Sequence, residues 1–181
     1  MKKFNFSFAK RQIGIGLLEL MLSLSIIAVL LVMATRYYMS AALNSRVNQT
    51  ADALLSLPAA AECWAASSTN SAAGSTGTYN GINLYAISYT DKCYPTSLVA
   101  KSDTSGKSLL TPYGNLAISS TSSKVCANVV ATNNAEAQLI AKKICPADFN
   151  KLGTTSATFY YEAITQSCDT AALCTSAAPN S

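Results

Sequence analysis

The chain of 181 residues contains no histidine. That absence removes Ser-His-Asp and Cys-His catalysis, and with them the commonest neutral metal ligand. Six cysteines are present, but no two stand as C-x-x-C, so the usual zinc-finger spacing has no ligand set. Charge is scarce as well, 12% of residues, and the nine acids are too scattered to form a local pair for general acid–base work. From Leu17 to Leu57 there is neither glycine nor proline, so nothing in that stretch breaks a helix. An enzyme has little to work with here, and no cofactor is expected. Lys101-Ser102-Asp103-Thr104-Ser105-Gly106-Lys107-Ser108 ends like a phosphate-binding loop, yet Lys101 stands where the first glycine is needed. A solvated surface loop is the better reading of it.

What the chain does have is concentrated at its N-terminus. Lys2, Lys3, Lys10 and Arg11 form a basic segment without an acid, ending at Gly14. Ile15 then opens an apolar run to Ala34, interrupted by one carboxylate, Glu19. Twenty such residues span about 30 Å as a helix, the thickness of a bilayer core. A carboxylate in mid-membrane costs about 2–4 kcal/mol, less near the interface, so it is retained for a purpose. A basic leader, Gly, four residues, Glu and an apolar helix, in that order, resemble the class III signal of type IV prepilins and pseudopilins.

The resemblance implies that residues 1–14 are a leader removed by a prepilin peptidase, with cleavage between Gly14 and Ile15 and N-methylation of Ile15. It also implies that Glu19 pairs with the N-terminal amine of a neighbouring subunit during assembly. The other partners so implied are further pilin subunits, in a homo- or hetero-filament, the inner-membrane assembly machinery and the membrane itself. Two other readings stand beside it. One is an uncleaved signal anchor in which Glu19 reaches the interface. The other is a secretory signal cut after Ala42, though its apolar run exceeds the ordinary length of such signals.

Outside residues 1–14 the chain carries nine Lys+Arg against nine Asp+Glu, a balance that makes no case for nucleic acid. The basic N-terminus favours the cytoplasmic side, which places everything beyond Ala34 outside. Cys63, Cys93, Cys126, Cys145, Cys168 and Cys174 all lie there, and an even count in an oxidising compartment reads as disulfides. Six cysteines allow about 15 pairings. Sequential pairing, Cys63–Cys93, Cys126–Cys145 and Cys168–Cys174, closes the shortest loops and is the working expectation.

The expected fold is α+β: a long helix over 15–57, transmembrane over 15–34, packed on a small antiparallel sheet within a disulfide-stabilised head at 58–181. Beyond Arg36, the apolar positions Met39, Leu43, Val47, Ala51, Leu54 and Leu55 recur at three- and four-residue steps. That stripe is expected to lie on the head. Pro58 marks the helix end or a bend. Residues 67–78 and 101–108 read as polar loops. Asn83–Thr90, Asn115–Ser119, Lys124–Ala131 and Ala157–Ile164 read as strands. Asn133 or Asn134 caps a helix, Ala135–Ile144, with Leu139, Ile140 and Ile144 on its apolar face and Pro146 beyond its end. This order also resembles pilin subunits, and Thr111-Pro112-Tyr113-Gly114 is similar to a turn found in several of them. Arg36-Tyr37-Tyr38 suits the IVb branch, while the short leader and Ile15 suit IVa.

The functional expectation is a structural subunit of a type IV pilus, major or minor, held by a single pass in the inner membrane and then assembled outside. The alternatives are a pseudopilin of a type II secretion system, in a periplasmic pseudopilus, or a membrane-tethered adhesin or other binding module. Tyr85, Tyr89, Tyr160, Tyr161 and Trp64 read as packing residues and not as a ligand site.

Overall fold

The computed structural model describes residues 16–67, 79–153, 156–171 and 174. The chain divides into two compact units with the boundary between Ala41 and Ala42. Helix α1 runs from Leu17 to Leu55, 39 residues without a break. It stops before Pro58, at Ser56, whose hydroxyl donates back to the Ala53 carbonyl at 2.6 Å and pairs with the Tyr94 hydroxyl at 2.8 Å. Helix α2, Leu57–Ala66, starts at once with Pro58 in its first turn, where a missing N–H costs nothing.

Five strands follow: β1 Ser108–Thr111, β2 Gly114–Ser120, β3 Val125–Val130, β4 Thr158–Glu162 and β5 Ser167–Asp169. They form one antiparallel sheet in sequence order. Register puts Leu109, Leu116, Ile118, Ala127, Val129, Phe159, Tyr161 and Cys168 on one face, all buried. Val47, Thr50, Ala51 and Leu54 of α1 and Leu57, Ala60 and Ala61 of α2 are buried with them, and their apolar members join the same core. Helix α3, Asn134–Ile144, is inserted between β3 and β4. It is capped by Asn133, whose side chain accepts from the Glu136 N–H at 3.0 Å. Lys143 of α3 donates to the Asn48 side chain of α1. The result is the expected α+β, pilin-like architecture.

Several local readings change. Asn83–Thr90 is not a strand: the chain turns helically from Leu84 and forms one π-helical turn, Ala86–Thr90. Asn83 caps it by accepting from the Ala86 N–H at 3.0 Å, and Tyr85 and Tyr89 stack with ring centroids 4.6 Å apart. Burial of Leu84, Ile87 and Ser88 follows helical spacing, which outweighs the alternation that suggested a strand. On α3, Leu139 is exposed, and Ala137 and Ala141 join Ile140 and Ile144 on the buried face. On α1, Met39 and Leu55 are exposed, while Thr50 and Ala53 are buried instead. Strands β1 and β5, four and three residues long, were not expected. The Thr111–Gly114 turn joins β1 to β2, Thr111 Oγ1 donating to the Gly114 carbonyl at 2.9 Å.

All six cysteines are paired. Cys63–Cys93 forms as expected and ties α2 to the segment after the π turn. The other two expected pairs are replaced by Cys126–Cys174 and Cys145–Cys168. The antiparallel meander is the reason: it brings β5 back beside β4, so Cys168 meets the C-terminal end of α3, across 23 residues of chain. Cys126 points to the opposite face from Cys168, since it opposes Glu162 whereas Cys168 opposes Tyr161. The two bonds therefore clamp opposite faces of the sheet.

The loop at 101–107 is organised by Asp103, whose carboxylate accepts the Ser105 and Ser108 hydroxyls and is held below the usual carboxylate range by them. Gly106, at φ 62°, passes so close to the π turn that a Cβ would lie 2.7 Å from the backbone nitrogens of Leu84 and Tyr85. Gly81 also has positive φ, 70°, but a Cβ there meets nothing. Denaturant unfolding should separate the two effects. Gly81→Ala is expected to cost about 1 kcal/mol for the backbone alone, and Gly106→Ala about 3 kcal/mol or more.

Tyr161 is fully buried, and burial, followed by the adjacent Glu162 charge, pushes its pKa up to about 12. The unfolded phenol titrates near 10. Its contribution to stability is thus complete below pH ~10 and lost as pH rises toward ~12. Thermal melts across that window should show the decline, and Tyr161→Phe should make it shallower.

Candidate functional site

The first half of α1 is built for an apolar surrounding. Leu, Ile, Val, Met and Ala carry it, and every residue from Gly16 to Ser40 is exposed in the isolated chain. Its hydropathy and length suit a single membrane span, and none of the span's most apolar window is buried. Two hydroxyls in it turn inward: Ser23 Oγ donates to the Leu20 carbonyl at 2.9 Å, and Thr35 Oγ1 to the Val32 carbonyl at 3.0 Å. That is how a hydroxyl is satisfied where no water is available.

Glu19 lies in the first turn of α1 and is exposed. Its backbone N–H donates to the Gly16 carbonyl at 2.9 Å, and the carboxylate makes no ion pair among the described residues. A Cβ at Gly16 would meet nothing, so the chain's own packing does not demand glycine there. The cleavage pair of the sequence reading, Gly14 and Ile15, lies outside the described residues. At the far end, Arg36 is exposed, followed by Tyr37 and Tyr38, 79% and 74% exposed. Tyrosines and a cation at the end of an apolar helix match the composition of a membrane–water boundary. Glu19 and Arg36 are the only charged residues from Leu17 through Ser45. The first interrupts the apolar run and the second follows its end, and the two are opposite in sign.

An open groove of about 650 Å³ in the head is lined by residues including Gln49, Asp52, Leu98 and Leu110. It holds a single carboxylate and is otherwise mostly apolar. Among the described residues no three His, Cys, Asp or Glu side chains gather within reach of a metal ion. All six cysteines are committed to disulfides, so no thiol nucleophile is left. What the described residues present is an apolar helix able to span a membrane and a head tied by three disulfides. Comparison with protein-family models, with curated proteins and with solved structures gives no match.

Proposed function

We propose that this chain is a structural subunit, a major or minor pilin, of a type IV pilus. One observation carries the reading: an exposed apolar helix, long enough to span a bilayer, has a lone carboxylate in its first turn and continues without a break toward a disulfide-tied α+β head. In the mechanism, a prepilin peptidase cuts between Gly14 and Ile15 at the inner membrane, and Ile15 is N-methylated. The helix waits in the bilayer, where Glu19 lacks a partner. Leaving lipid for a bundle of identical helices gives the carboxylate a cation on a neighbouring subunit, in the first instance the Ile15 amine. Apolar surface is then covered by other copies, and the head faces outward.

Mass spectrometry of the N-terminal peptide from native envelopes tests the processing step. The expected chain begins at methylated Ile15, and Gly14→Leu should leave the leader attached. A chain that retains residues 1–14 in the wild type, or one that starts near Leu43, would refute the proposal. Glu19→Ala should insert and be cleaved normally yet lower filament yield about tenfold or more, the loss of one charge-assisted contact in a dry interface. Sheared-filament yield measures this. Extended surface filaments distinguish a pilin from a pseudopilin, whose removal would instead halt exoprotein release.

A further inference from the structure

Glu19 and Arg36 share one helix, carry opposite charge and stand 17 residues apart. At 1.5 Å per residue they are separated by about 25 Å along the axis, so they never meet within one copy. Both are exposed, and neither is in an ion pair among the described residues. In the membrane each can reach an opposite interface. Once such helices are packed together the interfaces are gone, and an unpaired guanidinium in a dry bundle is as costly as an unpaired carboxylate. The segment from Leu17 to Ser45 has no other acid to offer Arg36.

We infer that Arg36 binds Glu19 of a second copy of this chain, and that this contact sets the axial offset between neighbouring helices at about 25 Å. The inference rests on the filament reading above and names a partner residue for the same carboxylate. A guanidinium and an amine are not exclusive, since a carboxylate has two oxygens and accepts several donors. The geometry has consequences of its own. All copies enter from one membrane with the same orientation, so the pairing is head-to-tail. Each contact leaves a free Arg36 on one copy and a free Glu19 on the other. A contact that includes a translation along the axis cannot close into a ring, so it propagates as an open array. At ~100° per residue the two charges also point about 100° apart around α1, which places the neighbours on different sides and winds the array. Finally, an offset of about 25 Å is close to the thickness of a bilayer core, so a copy whose Glu19 is taken by Arg36 of the one below has already left the membrane.

The test uses full-length chains in cells that assemble filaments. Wild-type charges are kept in a cross-linking experiment: Ser23→Cys copies are co-expressed with Ser40→Cys copies, positions that share the 17-residue offset and carry small exposed side chains. With every native cysteine already bonded, a new 23–40 disulfide between copies is expected. Disulfides only between Ser23→Cys and Ile27→Cys copies, a near in-register stack, would overturn the inference. Separately, Arg36→Gln should lower filament yield about tenfold while leaving membrane insertion and cleavage intact. Wild-type yield from Arg36→Gln would overturn the pairing and leave the pilin reading standing. A wild-type chain that is processed at Ile15 but never found in filaments would overturn both.

Discussion

A chain segment in hydrocarbon must pair its own backbone groups, because no water is there to do so, and everything about the first half of α1 obeys that constraint. Glycine and proline are excluded from Leu17 to Leu57. The hydroxyls of Ser23 and Thr35 are folded back onto carbonyls three residues earlier. Branched and long apolar side chains supply the outer surface. With polarity removed so thoroughly, the two charges that remain acquire a weight they would lack on a water-exposed helix. A surface carboxylate contributes little to any contact. In a dry helix bundle the same group decides which arrangements are tolerable.

The second half of α1 answers to a different solvent. Val47, Thr50, Ala51 and Leu54 fall on one stripe and are buried with the inward residues of the sheet. Small residues are frequent among the buried positions of α1 and α2 (Ala51, Ala53, Ala60, Ala61), which allows close approach but limits apolar area per residue. Covalent bonds make up for it. One disulfide fastens α2 to the irregular segment that follows, and two clamp the sheet from opposite faces. Edge strands of four and three residues offer little template for uncontrolled strand addition.

The legible parts of the fold were those whose signal is local. The membrane half of α1, the β2–β3 hairpin, β4 and the Asn133-capped α3 each carry their own period or cap. The illegible parts depended on partners distant in sequence. Leu84 to Tyr89 alternates like a strand, and only the Asn83 cap and the Tyr85–Tyr89 spacing of four hint at a helical turn. Thr50 looks like a solvent residue until the sheet beneath it is known. Strands β1 and β5 are too short to show a period, and their pairing with longer neighbours defines them. Disulfide partners followed the meander and not the shortest loop, so Cys126 and Cys145 each found a cysteine beyond the other. At the candidate site, Glu19 was visible as an anomaly in an apolar run. Arg36 was hidden in plain view because it sits where the run ends.

The two C-terminal disulfides are nested, the 145–168 bond lying inside the span closed by 126–174. Lys151, the cation of the head's one exposed salt bridge among the described residues, stands within both loops. A protease that cuts beside it produces two pieces, one holding Cys126 and Cys145, the other Cys168 and Cys174. Both bonds then run between the pieces, and β4 stays hydrogen-bonded to β3. A single nick at that site therefore does not release either fragment. Damage to the chain at that point is thereby separated from loss of the head.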